Sequence, residues 1–192
     1  PTTERKLLTH EEVLHNAECI RTQLAKFLSF DGDNAAIMEN NNNWLGSMNL
    51  LDFLRDYGKL FNVSYMISKD IIKKRLDSGI SYTEFSYTIL QSIDWLSLYR
   101  KYHCEIQIGG SDQWGNLTSG MELIRKVENA TVYGITSPLI TKSDGSKFGK
   151  SEGKNIWLDP AKTNSYEFYQ FWLNTPDSDI IDYLKRLSLR TP

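Results

Sequence analysis

The stretch that most constrains the fold of this 192-residue chain is a glycine turn between two apolar patterns. Residues 104–108 alternate as a strand does, and residues 117–127 carry apolar side chains at helical spacing. Between them, residues 108–116 read Ile-Gly-Gly-Ser-Asp-Gln-Trp-Gly-Asn. Adjacent glycines let a backbone approach a ligand closely, and Ser111 or Asp112 can cap the following helix. The pattern fits either an ordinary βα turn or a ligand-binding turn at the carboxyl end of a parallel strand.

Composition indicates a globular protein without a metal or disulfide framework. Hydrophobic residues make up 40% and charged residues 24%, and the net charge of −2 gives no global sign of nucleic-acid binding. The two cysteines and three histidines lack metal-ligand spacing, so we expect no protein-bound metal and a reducing compartment. No apolar run reaches the roughly 18 residues of a membrane span, so we expect no membrane partner.

A helix predicted at about residues 82–101 carries a polar stripe opposite an apolar one. At about 100° per residue, Tyr87, Gln91 and Asp94 share one face. Such a stripe is usually a solvent-facing surface, but this one lacks lysine and glutamate, which favours a position beside a cleft. The opposite face carries Phe85, Ile89, Ile93 and Leu96.

Elsewhere the periodicity predicts mainly helices. We expect a helix at about residues 10–28, opened by a capping box of Thr9 and Glu12 and carrying Val13, Ile20, Leu24 and Phe27 at helical spacing. The other expected helices cover about residues 48–60, 68–76, 165–174 and 177–187, the first of them with Leu50, Leu51, Leu54 and Leu60 on one side. Strands are expected at residues 35–38, buried, and at 132–140, with Pro138 near the end of the second.

Two polar segments leave alternatives open. The asparagines at residues 40–43 form either a low-complexity tract or a loop that lines a ligand site. Residues 141–154 are rich in glycine, serine and lysine, as mobile surface loops are, but lysines and hydroxyls also suit a phosphate clamp. The glycine spacing of this loop is not that of a Walker motif.

Three motifs together resemble bacterial-type tyrosyl-tRNA synthetases, which are class I aminoacyl-tRNA synthetases, and the resemblance covers essentially the whole chain. The motifs are Tyr87-x3-Gln91-x2-Asp94, the stretch from Gln107 to Asn116, and Lys147-Phe148-Gly149-Lys150-Ser151, which is similar to the class I KMSKS signature. The resemblance implies an α/β fold, namely a partial Rossmann-like parallel sheet with helices over residues 1–158. A linker and the start of an α-helical anticodon-side domain would follow at residues 159–192.

The family resemblance implies ATP-dependent activation of L-tyrosine to tyrosyl-adenylate, followed by transfer of tyrosine to tRNA(Tyr). ATP with Mg²⁺ is then the co-substrate, and the partners are tyrosine, tRNA(Tyr) and a second copy of the chain, in contact over about residues 48–82. The implied location is the bacterial cytoplasm or the mitochondrial matrix. Because the substrate carboxylate itself attacks the α-phosphate, catalysis needs positioning and charge stabilisation rather than a side-chain nucleophile.

The resemblance also assigns residues to the tyrosine site. Tyr87 and Gln91 are expected to hold the α-amino group, and Asp94 to accept a hydrogen bond from the phenolic hydroxyl. Phenylalanine would leave the buried polar group of Asp94 unpaired, which accounts for specificity. The further tyrosine-site residues implied are Gln107 at the pocket wall, Gln113 near the reacting carboxylate, and Asn41.

For ATP, the resemblance implies that the backbone of Gly110 meets the adenylate and that Asp112 binds the ribose hydroxyls. Lys147 and Lys150 are the expected catalytic residues, stabilising the pyrophosphate leaving group, and Ser151 belongs to the same ATP-binding set.

The chain departs from the family pattern because the class I HIGH motif and the first strand and helix of the nucleotide fold are absent from it. We interpret it as a fragment that also lacks most of the C-terminal tRNA-binding region, and we expect it to form little adenylate alone. Two alternatives remain: a related tryptophan-type class I synthetase, which would not be expected to carry the Tyr87, Gln91 and Asp94 set, and a non-catalytic RNA-binding derivative of the splicing type.

Overall fold

The computed structural model describes residues 8–69, 72–73, 79–141 and 156–189, which fall into two compact units. Pro1–Glu39 and Ile140–Pro192 together form one, the split unit, and Asn40–Leu139 forms the other, the central unit. The predicted domain boundary near residue 158 stays a prediction. In chain order the described helices and strands are α1 (His10–Leu24), α2 (Asn42–Leu45), α3 (Leu50–Asp52), α4 (Val63–Ser68), α5 (Tyr82–Tyr102), β1 (Ile106–Gly110), α6 (Trp114–Glu128), β2 (Tyr133–Ser137), α7 (Ser165–Leu173) and α8 (Asp177–Leu187).

The central unit contains a parallel pair of strands connected by helix α6. Strands β1 and β2 pair in register from Ile106 opposite Tyr133 to Gly110 opposite Ser137. A strand–helix–strand connection of this kind is the elementary unit of α/β folds, so the predicted α/β class with a partial parallel sheet is confirmed. The second strand is shorter than predicted, and Pro138 follows its last residue directly.

The two faces of this small sheet differ. On one face β2 lies against helix α6, where a Cβ added to Gly134 would be 3.2 Å from Cδ2 of Leu117. The other face exposes four large apolar side chains that alternate along the two strands. They are Ile106 (51% exposed), Ile108 (70%), Tyr133 (58%) and Ile135 (50%). Parallel sheets are normally covered on both faces, so this open face is what a partial Rossmann-like sheet presents.

Helices α5 and α6 pack closely and supply most of the core of the central unit. Ile89, Ile93 and Leu96 are at most 7% exposed, which confirms the predicted apolar face of α5. Trp95 is fully buried against Gly120 of α6, where an added Cβ would lie 2.7 Å from Cε3 of the indole. The absence of a side chain at Gly120 therefore sets how closely the two helices approach.

The buried strand expected at residues 35–38 is absent. This segment has no regular secondary structure, and Ile37 and Met38 are 64% and 39% exposed. A four-residue apolar run does not by itself distinguish a strand from irregular chain, and no neighbouring strand among the described residues pairs with it.

The helix expected at residues 48–60 is also wrong as a single element. Helix α3 widens into a π-helical turn at Phe53–Tyr57 and then tightens into a 3-10 turn at Gly58–Leu60. Leu50 and Leu51 precede both changes of helix type and are 68% and 73% exposed, so these two leucines of the predicted apolar side do not lie against the core. The aromatic side chains of Phe53 and Tyr57 pack there instead, together with Leu60.

The next stretch, between the helices predicted at about residues 48–60 and 68–76, contains helix α4. Its N-cap is Asn62, whose side chain accepts a 3.0 Å hydrogen bond from the backbone N–H of Tyr65. The helix predicted at residues 68–76 lies mostly outside the described residues.

In the split unit, helix α1 begins with the predicted capping box. The side chain of Thr9 accepts a hydrogen bond from the backbone N–H of Glu12, and the carboxylate of Glu12 accepts one from the backbone N–H of Thr9. The helix ends at Leu24 rather than near residue 28. The apolar side chains predicted to share one face of this helix are 39–68% exposed, namely Val13, Ile20, Leu24 and Phe27.

Helices α7 and α8 of the split unit match the predicted bounds to within a residue. A capping box of Asn164 and Glu167 opens α7. Tyr183 of α8 is 7% exposed and packs edge-on against Trp172 of α7, with ring centroids 6.3 Å apart. Within the described part of the chain, no helix is long and apolar enough to cross a membrane.

Candidate amino-acid site in the central unit

Asp94 on helix α5 is the acceptor at one end of the candidate site. Its Oδ1 atom accepts a 2.8 Å hydrogen bond from the indole N–H of Trp44, and its Oδ2 atom accepts a 3.2 Å bond from the amide of Asn41. Both donors come from the start of α2, where a spacing of three puts side chains on one face. Each carboxylate oxygen keeps a free lone pair, so Asp94 can accept a further hydrogen bond while its orientation is fixed.

The structure thus brings the predicted residues Asn41 and Asp94 together and adds Trp44, which the sequence reasoning missed. The sequence did contain a signal for Trp44. It follows Asn41 by three residues, and an indole N–H usually donates a hydrogen bond when it is partly buried. The asparagine tract is therefore not a structureless low-complexity segment, since Asn41 is the N-cap of helix α2.

Three side-chain amides meet beside the first turn of helix α6. The Nδ2 atom of Asn116 donates to Oε1 of Gln91 at 3.1 Å and to Oε1 of Gln113 at 3.2 Å. The Oδ1 atom of Asn116 accepts a 2.8 Å hydrogen bond from the hydroxyl of Thr88, which is buried. Gln91 and Gln113 were predicted site residues, and the cluster joins them through Asn116 and Thr88.

The sequence reasoning missed Thr88 and gave Asn116 no role. Asn116 was part of the glycine-turn motif, but nothing in that motif shows which side chain its amide contacts. Thr88 lies three residues before Gln91, on the side of α5 that faces α6. Nothing in the sequence distinguishes this threonine from an ordinary residue of the helix.

Tyr87 lies one turn before Gln91 on helix α5 and is 59% exposed. It takes no part in the hydrogen bonds described above. The three predicted residues of the polar stripe span seven residues, which is about 10 Å along the helix axis. The stripe therefore places the Tyr87 phenol at one end, the Gln91 amide near the middle and the Asp94 carboxylate at the other end.

The turn after β1 starts the helix later than predicted. Residues Ser111–Gln113 form one 3-10 turn, and α6 begins at Trp114 with Gln113 as its N-cap, which makes no side-chain cap hydrogen bond. The predicted cap at Ser111 or Asp112 is therefore wrong, because the 3-10 turn places both residues upstream of the helix.

Gly109 and Gly110 belong to strand β1 rather than to the turn, and both are needed for close packing. A Cβ on Gly109 would lie 3.0 Å from Cβ of Gln113, and a Cβ on Gly110 would lie 2.7 Å from Oδ1 of Asp112. The first distance is tighter than most real Cβ contacts, and real Cβ atoms do not make the second. The glycines therefore let Asp112 and Gln113 fold back over the end of the strand.

Gln107 carries an unpaired polar atom in a protected position. It lies on β1 between the exposed side chains of Ile106 and Ile108, and its Oε1 atom is buried without a hydrogen-bond partner. Leaving a buried acceptor unpaired costs about 1–3 kcal/mol. An atom of this kind marks a place where a ligand donor can bind.

A half-buried lysine lies against the helix that follows the turn. The ammonium group of Lys69 donates to the carbonyl oxygen of Gly115 and to the hydroxyl of Ser119, both in α6. Burial lowers the pKa of Lys69 below its ordinary value of 10.5, because removal from water disfavours the charged form. This contact fixes the end of α4 to the start of α6.

Lys147, Lys150 and Ser151 lie outside the described residues, so their predicted roles stay predictions. Within the described ranges, no group of three or more His, Cys, Asp or Glu side chains could hold a metal ion. The side chains gathered in the central unit are hydrogen-bond donors and acceptors, an arrangement suited to binding and positioning a small polar molecule.

The whole chain, residues 1–192, matches the family of tRNA synthetases class I (W and Y). The tyrosine–tRNA ligase 1 of Bacillus licheniformis is 59% identical over 184 residues, which are 95% of this chain and 44% of that protein. The tyrosine–tRNA ligase of Listeria welshimeri is 57% identical over 190 residues, which are 98% of this chain and 45% of that protein.

Solved structures give the same result. A C-terminally truncated mitochondrial tyrosyl-tRNA synthetase from Coccidioides posadasii aligns with a TM-score of 0.72 at 27% identity, covering 98% of this chain and 57% of that chain. This chain spans less than half the length of the two curated relatives. Because the family match extends over every residue, the chain belongs to the class I tRNA synthetases of the tryptophan and tyrosine group.

Proposed function

We propose that this chain acts in the ATP-dependent activation of L-tyrosine to tyrosyl-adenylate and in the transfer of tyrosine to tRNA(Tyr). The observation that carries the proposal is the Asp94 carboxylate, oriented by Trp44 and Asn41 and still able to accept a hydrogen bond. Relatives at 56–59% identity that are named tyrosine–tRNA ligases support the same substrate.

Asp94 gives a physical basis for selecting tyrosine. The phenolic hydroxyl donates to the carboxylate, whereas phenylalanine would displace water from Asp94 without replacing its hydrogen bond. Losing this hydrogen bond costs much binding free energy, because the acceptor is a charged carboxylate. Discrimination of about 10⁵ between these two amino acids is already established for tyrosyl-tRNA synthetases.

The remaining polar groups of the site are proposed to hold the backbone of the amino acid. Tyr87 and Gln91 bind the α-ammonium group, and Gln113 lies by the carboxylate. The unpaired oxygen of Gln107 supports a place in the pocket wall, because a ligand or a ligand-ordered water would satisfy it.

The proposed reaction needs no protein nucleophile. A carboxylate oxygen of tyrosine bonds to the α-phosphorus of ATP while the bond from that phosphorus to the bridging oxygen breaks, releasing pyrophosphate. ATP is taken as its magnesium complex. Asp112 binds the ribose, the backbone of Gly110 meets the adenylate, and Lys147 and Lys150, with Ser151, stabilise the leaving group.

We further propose a homodimer, formed through residues 48–82. This part of the central unit exposes apolar side chains that a second copy would cover, among them Leu50 (68%), Leu51 (73%), Val63 (57%) and Tyr82 (69%). Sedimentation velocity tests the assignment, because Leu51→Asp should shift a wild-type dimer to monomer. The proposed location is the bacterial cytoplasm, supported by relatives from Bacillus and Listeria.

Calorimetric titration of the 192-residue chain with L-tyrosine, L-phenylalanine and L-tryptophan tests the substrate. We expect tyrosine to bind far more tightly than phenylalanine or tryptophan, and to lose that binding in Asp94→Asn, which keeps the shape but removes the charge. Asp182→Asn is the matched control, because Asp182 is an exposed carboxylate outside the proposed dimer contact and pairs with Arg186.

Two outcomes would contradict the proposal. Preferential binding of tryptophan would favour the tryptophan-type enzyme. Absence of binding to all three amino acids, combined with salt-dependent RNA binding that persists in Asp94→Asn, would favour the RNA-binding alternative.

A further inference from the structure

Asn116 contacts two glutamines that belong to different elements of the central unit. Its Nδ2 atom donates to Oε1 of Gln91 on α5 at 3.1 Å and to Oε1 of Gln113, the N-cap residue of α6, at 3.2 Å. The NH₂ group has two hydrogens, one for each bond. Within the described residues, Asn116 is the only hydrogen-bond partner of either glutamine side chain. Asn116 therefore bridges the two glutamine side chains.

This bridge does not depend on which way the amide of Asn116 faces. An NH₂ group offers two donors and an amide oxygen offers two lone pairs, so either end can bind both glutamines. The other end bonds to the buried hydroxyl of Thr88 at 2.8 Å, and a hydroxyl can donate or accept. In both orientations Asn116 is attached to a third point, on α5.

A bridged glutamine binds a ligand at a lower cost than a free one. Glutamine is among the side chains that lose most rotamer freedom when they are fixed. A ligand that bonds to an unheld glutamine must order that side chain on binding, whereas a bridged side chain is already ordered. The bridge uses only one hydrogen-bonding position of each glutamine, so the rest of each amide remains for a ligand.

The acceptor end of the candidate site is held by other residues. Asp94 is oriented by Trp44 and Asn41 at the start of α2. In the part of the chain that the structure describes, neither of these two donors hydrogen-bonds to Asn116. The side chains at Asp94 and those at Asn116 are therefore fixed separately.

We propose that Asn116 is the positioning residue for both backbone groups of the bound amino acid. It holds Gln91 ready for the α-ammonium group and Gln113 ready for the carboxylate, and it has no part in binding the phenol. The inference rests on the proposed tyrosine-binding function.

Analogues of tyrosine that lack one or both backbone groups test each attachment separately. Tyramine lacks the carboxylate, 3-(4-hydroxyphenyl)propionate lacks the ammonium group, and p-cresol lacks both. Ligand-observed NMR on the 192-residue chain measures the four dissociation constants. Asn116→Ala should weaken tyramine and the propionate about fivefold each, as expected when one side chain must be ordered for each. L-Tyrosine should weaken about twenty-five-fold, and p-cresol should stay within twofold of wild type.

Double variants show whether Asn116 acts through the glutamines. Gln91→Ala should weaken tyramine, and adding Asn116→Ala to it should have no further effect on tyramine, because the side chain that Asn116 holds is gone. Gln113→Ala should behave in the same way toward the propionate. A structural role of Asn116 would instead lower both affinities again in the double variants.

Thr118→Val is the matched control on the same helix. The hydroxyl of Thr118 bonds only to backbone carbonyls of α6, so all four constants should stay within twofold of wild type. Asn116→Leu, of similar volume, repeats the comparison if the alanine variant does not fold. Weakening of only one analogue, or equal weakening of p-cresol, would overturn the inference alone. A wild-type chain that binds L-tyrosine no better than p-cresol would overturn the proposed function with it.

Discussion

The indole N–H of Trp44 and the carboxylate of Asp94, fifty residues apart in sequence, are joined by a 2.8 Å hydrogen bond. Asn41 donates to the second oxygen of Asp94, so side chains at the start of the short helix α2 orient both oxygens of the carboxylate that is proposed to accept from the phenol. A hydrogen bond to a charged group contributes about 1.5–3 kcal/mol, twice a neutral one, so the orientation of Asp94 depends strongly on this helix.

Replacement of the indole without loss of the ring tests this dependence. Trp44→Phe removes the donor to Oδ1 of Asp94 and should weaken L-tyrosine binding about tenfold, while leaving the weak binding of L-phenylalanine unchanged, because only tyrosine uses the oriented carboxylate. Calorimetric titration measures both.

Trp157→Phe is the matched control for Trp44→Phe, since Trp157 lies in the split unit and should leave tyrosine affinity at the wild-type value. Equal weakening of both amino acids in Trp44→Phe would show that the indole supports packing rather than the acceptor.

The close approach of helices α5 and α6 predicts a strong effect at Gly120. Gly120→Ala places a methyl group 2.7 Å from Cε3 of the fully buried Trp95, so one helix must move. Overpacking of this kind costs about 1–3 kcal/mol, which urea unfolding measures.

Gly115→Ala is the matched variant on the same helix. Its methyl group would lie 3.4 Å from Cδ of Lys69, an ordinary contact, so the better helix propensity of alanine should leave stability unchanged or raise it by up to about 1 kcal/mol. Equal effects at the two glycines would contradict the packing argument.

The sequence could predict elements whose local signals agree with the final fold. Helix α5 has a cap at Ser81, a regular apolar face and no internal breaker, and its predicted bounds are accurate to one residue. Strand β1 and helix α6 are likewise recognisable from alternation, helical spacing and the glycines between them. The π-helical turn at Phe53–Tyr57 could not be predicted in this way, because it depends on which side chains pack against the core.

The candidate site divides in the same way. The helix that carries Gln91 and Asp94 could be predicted from its periodicity, and the family resemblance names the same two residues for the site, a role that stays a prediction. The contacts of Trp44, Thr88 and Asn116 could not be predicted, because each side chain pairs with a residue of another element, and such pairings are set by how the elements pack. For Trp44 the sequence offered only its spacing of three from Asn41. Sequence spacing carries information on neighbours within one helix only.

The unpaired oxygen of Gln107 predicts opposite effects on stability and binding. Gln107→Met fills the same space without a polar atom and should raise the free energy of unfolding by about 1 kcal/mol, since the desolvation cost of the acceptor disappears. L-Tyrosine affinity should fall, because a polar atom that serves the ligand often lowers the stability of the folded protein. Urea unfolding and calorimetry measure the two effects.

Gln107→Glu provides the contrast, because a carboxylate in that position should lower stability relative to wild type. Stabilisation by Gln107→Met without loss of tyrosine binding would show that the oxygen does not serve the ligand.

The lysine against helix α6 gives a pH-dependent prediction. Because burial lowers the pKa of Lys69 in the folded protein, keeping the ammonium charged opposes folding at neutral pH. Below the lowered pKa both folded and unfolded states are protonated, and this cost is fully present. Between the lowered pKa and 10.5 the unfolded state binds more protons than the folded state, so stability rises with pH.

Other groups titrate in the same range, so the wild type must be compared with variants that release no proton at this position. Lys69→Met carries no charge and Lys69→Arg stays charged throughout, since the guanidinium is not deprotonated in proteins. The free energy of unfolding of the wild type should therefore rise relative to each variant as the pH increases from below the lowered pKa of Lys69 toward 10.5, while the difference between the two variants stays constant. Urea unfolding at a series of pH values measures this. A constant difference between wild type and Lys69→Met would contradict it, because the ammonium would then titrate alike in both states.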